Sequence, residues 1–205
     1  MRAAVILAGG RGSRFGFRDK SLIQLNGKPL LAHVIDALYD LVEEILISLR
    51  SYKQAKKLDK IIEGKNIRIV VDEVEGYGPI AGINAAMKAL TSEVVFLTGC
   101  DMPNLKTDVI KQLFMLIEDY DAVVPIWENG DIESLHSVYR RDSTLTATDL
   151  CISHGEKKLF EFINRLDVRY VRIDEIKRLD PSLLTFSNIN SPEDIIVAAG
   201  HHAKL

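Results

Sequence analysis

Arg2-Ala3-Ala4-Val5-Ile6-Leu7-Ala8-Gly9-Gly10-Arg11-Gly12-Ser13-Arg14-Phe15-Gly16-Phe17-Arg18-Asp19-Lys20-Ser21-Leu22, residues 2–22, is the stretch that decides the fold. Ala3 to Ala8 is an apolar run of strand length with no polar alternation, so it needs cover on both faces, as in a parallel sheet. Gly9, Gly10 and Gly12 follow it and let backbone N–H groups approach phosphate oxygens, while Arg11, Arg14, Arg18 and Lys20 supply neutralising charge. Open parallel sheets present ligands at the carboxyl ends of their strands. Polyphosphate binding is the natural inference.

Two familiar phosphate loops fail on spacing. A Rossmann G-x-G-x-x-G begun at Gly10 needs glycine where Phe15 stands, and a Walker A ending in Lys20-Ser21 needs glycine at Arg14 and Asp19. Dinucleotide oxidoreductases and P-loop NTPases drop accordingly.

Beyond this loop, strand-length apolar runs alternate with helical patterns. Leu30, Leu31, Val34, Ile35 and Leu38 recur at helical spacing behind Pro29, and Ala55, Leu58, Ile61 and Ile62 mark a second helix closed by Gly64. Ile45–Leu49, Ile67–Val71 and Val94–Thr98 read as strands, Pro79–Leu90 as a helix, and Thr107 as the N-cap of a helix carrying Val109 to Ile117. Later, Ala122–Trp127 and Leu135–Arg140 read as strands around the turn at 128–131, Lys158–Leu166 as a helix and Val168–Ile173 as a strand. A last helix starts near 191–194. The rhythm predicts an α/β fold: a single-domain, Rossmann-like, three-layer αβα sandwich with a mostly parallel central sheet.

The bulk numbers agree with one ordered domain. The 205 residues are 47% hydrophobic and 27% charged, ordinary for a globular protein. A net charge of -3 favours no nucleic acid or anionic membrane. Gly9-Gly10-Arg11 cuts the first apolar run short of a signal peptide or membrane span, so a cytoplasmic protein is expected. Cys100 and Cys151 read as reduced thiols without a zinc partner set. The histidines show no metal spacing: His33 reads as part of a helix face, His154, His201 and His202 as surface, and His136 as cleft lining.

Three further clusters carry chemistry. Asp72 ends the third strand before Gly76-Tyr77-Gly78-Pro79-Ile80-Ala81-Gly82, where small residues let a flat base approach a helix start. A Gly-Pro turn opening a helix explains the same residues equally well. Asp101 follows the apolar strand at 94–98 and is placed either to hold Mg²⁺ against phosphate or to cap the next helix. Asn188 and Asn190 alternate, so an extended backbone points both to one side, placed either to hold a polar acceptor or to lie near the metal; Asn190 or Ser191 can equally cap the last helix.

Leu7-Ala8-Gly9-Gly10-x-x-Ser13-Arg14-Phe15-Gly16-x-x-Asp19-Lys20-x-Leu22, then Leu25-Asn26-Gly27-Lys28-Pro29-Leu30-Leu31, closely resembles the signature of the molybdenum cofactor guanylyltransferases (MobA-like), within the glycosyltransferase-A-like nucleotidyltransferases. Gly78-Pro79-Ile80-Ala81-Gly82, Cys100-Asp101-Met102-Pro103 and Asn188-Ile189-Asn190-Ser191-Pro192-Glu193-Asp194 resemble three more of its motifs; in Glu133-Ser134-Leu135 a serine replaces the usual proline. The resemblance implies transfer of GMP from Mg-GTP to the terminal phosphate of molybdopterin. It implies Lys20, Asp101 and Arg14 as catalytic, Asp101 as the Mg²⁺ ligand, and Leu7, Ala8, Gly9, Gly10, Gly12, Lys20, Asp72, Gly78 and Asp101 as the nucleotide site. Asn188 and Asn190 then face the acceptor. On that basis residues 1–105 form a nucleotide-binding half and 106–205 an acceptor-binding half of a monomer or weak homo-oligomer, open to contact with proteins that deliver molybdopterin. A cytidylyl- or sugar-phosphate nucleotidyltransferase and a non-catalytic nucleotide-binding regulator are the alternatives.

Overall fold

The computed structural model describes residues 1–10, 15, 19–72, 74 and 76–202, with backbone alone for 200–202. Its seven-stranded sheet has the order β5-β4-β1-β6-β8-β7-β9, built from β1 (Arg2–Leu7), β4 (Glu44–Leu49), β5 (Ile67–Val71), β6 (Val94–Gly99), β7 (Ala122–Ile126), β8 (His136–Arg140) and β9 (Val168–Arg172). Two short strands, β2 (Gln24–Leu25) and β3 (Lys28–Pro29), form a separate hairpin. β8 runs antiparallel to both neighbours; every other pairing in the large sheet is parallel.

Period-two alternation explains the layers. Along β1, Ala4 and Ile6 enter one core with α1 (Leu30–Leu38), α2 (Tyr52–Ile62), α4 (Thr107–Met115) and α7 (Ile173–Ile176). Ala3 and Val5 enter the other with α3 (Pro79–Ala89), α5 (Arg141–His154) and α6 (Leu159–Ile163). The expected three-layer αβα sandwich is the observed fold. No helix among the described residues is long and apolar enough to cross a membrane.

Three details depart from expectation. α5 has no counterpart in the periodicity, because its inward positions include Thr144 and Thr148 beside Ala147 and Cys151. Part of this polar face is satisfied sideways: the buried amide of Asn84 on α3 donates to Thr148 Oγ1 at 3.1 Å and to Asp149 Oδ1 at 2.8 Å. Thr107 is not an N-cap. Lys106 holds that position without a side-chain cap, and its N–H donates to Thr185 Oγ1 at 3.0 Å, so a distant hydroxyl does the local job. α2 begins earlier than its apolar residues show, because Ser51 caps it and accepts from Gln54 N.

His136 lies in the core, not in a cleft. Its ring is fully buried and packs edge-on against Phe96 and Phe186, with centroids 5.1 and 4.8 Å away. Burial lowers its pKa from 6.5 to about 3. Below pH 6.5 the unfolded chain takes up a proton that the folded chain refuses, so stability falls with pH until about pH 3. The slope is about 1.4 kcal/mol per pH unit. Denaturant titrations of wild type and His136→Phe at pH 7.5 and 5 should show a pH-dependent loss smaller by about 2 kcal/mol in the variant; equal losses would mean that His136 is not held neutral.

Candidate active site

The chain order reverses between β1 and β6: β4 and β5 extend the sheet on one side of β1, whereas β6 returns to its other side. Crevices form at such switch points because the connections on either side diverge. Leu7 pairs with Gly99 at the two strand ends, and Cys100 N donates to Leu7 O at 3.1 Å. The loop after β1 and the Asp101 loop after β6 therefore leave the sheet side by side.

Lys20 opens a 3₁₀ turn, Lys20–Leu22, capped by Asp19, whose Oδ1 accepts from Ser21 N at 3.2 Å and from Ser21 Oγ at 2.6 Å. From there the Lys20 ammonium donates to Asp101 Oδ2 at 2.9 Å and to Asn190 Oδ1 at 2.8 Å. These partners lie 81 and 170 residues away in sequence. The Lys20 and Asp101 side chains keep 18% and 23% of their surface exposed, enough for a ligand to reach them.

The C-terminal segment that brings Asn190 to this cluster is held by its own lacing. Ile189 N donates to Asp101 O at 2.8 Å, and Asn104 Nδ2 donates to Ser187 Oγ at 2.9 Å. Ile189 is buried with Leu25 of the hairpin, Leu30 at the start of α1 and Ala198 of α8 (Pro192–His202), and Asn188 on the alternate side is exposed. Asn190 reaches Lys20 instead of standing free beside Asn188. Ser191 and Asp194 form a reciprocal cap at α8: Asp194 Oδ2 accepts from Asn190 N at 2.7 Å and Ser191 N at 2.8 Å, and Ser191 Oγ accepts from Asp194 N at 3.4 Å. Such a cap contributes about 1 kcal/mol, which helps hold Asn190 in place.

On the other flank, Asp72 follows β5, its N–H donating to Leu49 O at 3.0 Å. Burial raises its pKa, and the Arg50 charge partly offsets this. α3 closes down on these strand ends. A Cβ at Gly82 would stand 2.7 Å from the buried Ser48 Oγ and 3.7 Å from Asp72 Oδ2, so this approach requires glycine. Gly78, just before α3, has φ +55°, a conformation that L side chains rarely adopt. Ala8 N donates to Ser48 O at 2.9 Å, and Gly9 lies against the Arg50 stem. Arg11, Gly12, Arg14 and Arg18 lie outside the described residues.

Asp101 does not cap a helix, since α4 starts later, behind Lys106. Among the described residues no three His, Cys, Asp or Glu side chains converge as a metal cage. A single partly exposed carboxylate suits Mg²⁺, which binds through one or two carboxylates and otherwise through substrate phosphates and water. Ser48, Arg50 and Gln54 at the same crevice are not apparent from motif spacing. Only Ser51-x-x-Gln54 carries a local signal, that of a helix start.

Comparison with known proteins adds relatives to this geometry. Residues 4–172 match the MobA-like NTP transferase domain family. A probable molybdenum cofactor guanylyltransferase of Methanosarcina acetivorans is 35% identical over 198 residues, 95% of this chain and 88% of that protein. The molybdenum cofactor guanylyltransferase of Syntrophotalea carbinolica is 31% identical over 193 residues, 94% and 88% of the two chains. The crystal structure of molybdopterin-guanine dinucleotide biosynthesis protein A from Archaeoglobus fulgidus is similar at a TM-score of 0.84 and 30% identity, covering all of both chains. A 4-diphosphocytidyl-2C-methyl-D-erythritol synthase from Anaerococcus prevotii shares the fold at a TM-score of 0.74 and 18% identity, over 99% and 96% of the chains.

Proposed function

The chain belongs to the MobA-like NTP transferase family, and from that premise we propose that it is a cytoplasmic molybdenum cofactor guanylyltransferase using Mg-GTP and molybdopterin. The meeting of Lys20, Asp101 and Asn190 at the switch point carries this proposal, because it joins the phosphate loop, the carboxylate after β6 and the C-terminal motif in one partly exposed cluster.

A terminal phosphate oxygen of molybdopterin attacks the α-phosphorus of GTP. One P–O bond forms to the incoming phosphate, the α–β anhydride bond breaks, and pyrophosphate leaves with the electron pair. The nucleophile is already ionised at neutral pH, so no general base is needed and the work is positioning and charge neutralisation. Lys20 and the Gly9–Gly10 backbone take the triphosphate, joined by Gly12 and Arg14. Asp72 and Gly78 flank the base; Asn188 faces the acceptor and Asn190 links that side to Lys20. Residues 1–105 then serve the nucleotide and 106–205 the acceptor. Asp101 would hold Mg²⁺, which when bound neutralises charge developing on the phosphates.

The test is a transfer assay with molybdopterin and GTP, CTP or ATP, reading dinucleotide and pyrophosphate together. GTP should be used at least about tenfold better than CTP or ATP, the discrimination expected when a site built for hydrogen bonding meets the wrong base. Equal use of CTP would overturn the guanine assignment. GTP binding without pyrophosphate release would mean a binding protein instead.

A further inference from the structure

We infer that Gln54 is a positioning residue for the phosphate loop, its side-chain amide clamping the two ends of the loop together. This rests on the nucleotide-binding role proposed above for that loop. Gln54 is the third residue of α2, behind the capping Ser51. Its Nε2 donates to Asp19 Oδ2 at 3.1 Å and to Ala8 O at 3.4 Å, while its Oε1 accepts from Arg50 N at 3.1 Å. Only the NH₂ can donate to two oxygens and only the carbonyl can accept, so the three partners fix the orientation of the amide.

Ala8 is the last residue before the glycines, and Asp19 the last before Lys20. The segment between them is rich in glycine, so wrapping a triphosphate costs it more backbone entropy than other sequences lose. A clamp across its ends meets part of that cost before the ligand arrives, which raises affinity through pre-organisation. Asp19 is held from the other side by Ser21, so the clamp also fixes the residue from which the Lys20 turn starts.

Helix capping alone would explain Gln54 differently, and the two roles separate on substitution. Gln54→Glu keeps an acceptor for Arg50 N and adds a favourable charge in the first turn of α2, so a purely capping role predicts unchanged or higher stability and unchanged ligand binding. A clamp needs the two donors. Glutamate sets a carboxylate against Asp19 and the Ala8 carbonyl, whereas Gln54→Lys retains donors and Gln54→Met retains only the shape.

The experiment is calorimetric binding of Mg-GTP, with KM and kcat for transfer and a thermal melt on each variant. Gln54→Glu and Gln54→Met should bind GTP about tenfold or more weakly, with KM raised and kcat at saturation within about threefold, the split expected when ground-state and transition-state binding are lost equally. Gln54→Lys should stay within about threefold of wild type in Kd. Wild-type binding with Gln54→Glu and Gln54→Met both within twofold of it, or all three variants weakened alike, would overturn the clamp and leave the loop assignment standing. A wild-type protein that binds no nucleoside triphosphate would overturn the loop assignment itself, and the clamp with it.

Discussion

Asp101→Asn is expected to lower guanylyl transfer about a hundredfold or more while the protein stays folded. The substitution keeps the shape and removes the charge. The backbone role of the residue survives, since Ile189 N donates to its carbonyl and not to its side chain. Lys20 keeps Asn190 as a partner, so its ammonium is not left bare. Loss of charge at the proposed metal-holding position would remove a clamp that acts when charge builds on the phosphates, so kcat should fall and extra Mg²⁺ should not restore it. The measurement is dinucleotide formation across a Mg²⁺ series, with circular dichroism and a thermal melt as controls. A folded variant with near-normal transfer would remove Asp101 from the metal site.

Lys20→Ala should reduce kcat/KM for GTP about a hundredfold, the scale on which transition states lose a dedicated charge-stabilising donor. Stability should change little. The Lys20–Asp101 pair remains about a fifth exposed, and ion pairs in contact with solvent contribute on the order of 1 kcal/mol or less. Because Lys20 and Asp101 touch, their effects should also fail to add: the double variant should be little worse than the poorer single one. Steady-state kinetics on wild type, both single variants and the double variant measure this. Full additivity in the four proteins would show that the two groups act independently, against a shared site.

The motifs of the candidate site were legible because their local chemistry is unusual. Glycines and cations directly behind the first buried run mark the proposed phosphate loop, and Asp101 behind Val94–Thr98 marks a carboxylate at the same sheet edge. Strand and helix periods likewise placed the elements of the first half within a residue or a few, because core burial there is carried by Val, Ile and Leu. α5 was illegible for the opposite reason. Its buried Thr144 and Thr148 break the apolar stripe; Thr148 Oγ1 donates to the Thr144 carbonyl at 2.8 Å and accepts from Asn84, whereas Thr144 Oγ1 is buried with no partner among the described residues. The hairpin at Gln24–Pro29 had a local signal, Asn26-Gly27 with positive φ at both residues, that the periodicity did not use.

From the sequence alone came the layered α/β architecture and the family, and the proposal that the first loop binds phosphate, since each depends on spacing within a short window of chain. Tertiary structure alone decided which distant groups meet. Lys20 finds Asn190 across 170 residues because α8 packs on Leu25 and Leu30 and delivers its cap there. His136 goes to the core because Phe96 and Phe186 enclose it, and Gln54 turns from its own helix start to the loop because β1 and β4 lie side by side. No local period encodes such contacts, because they follow from how whole layers pack.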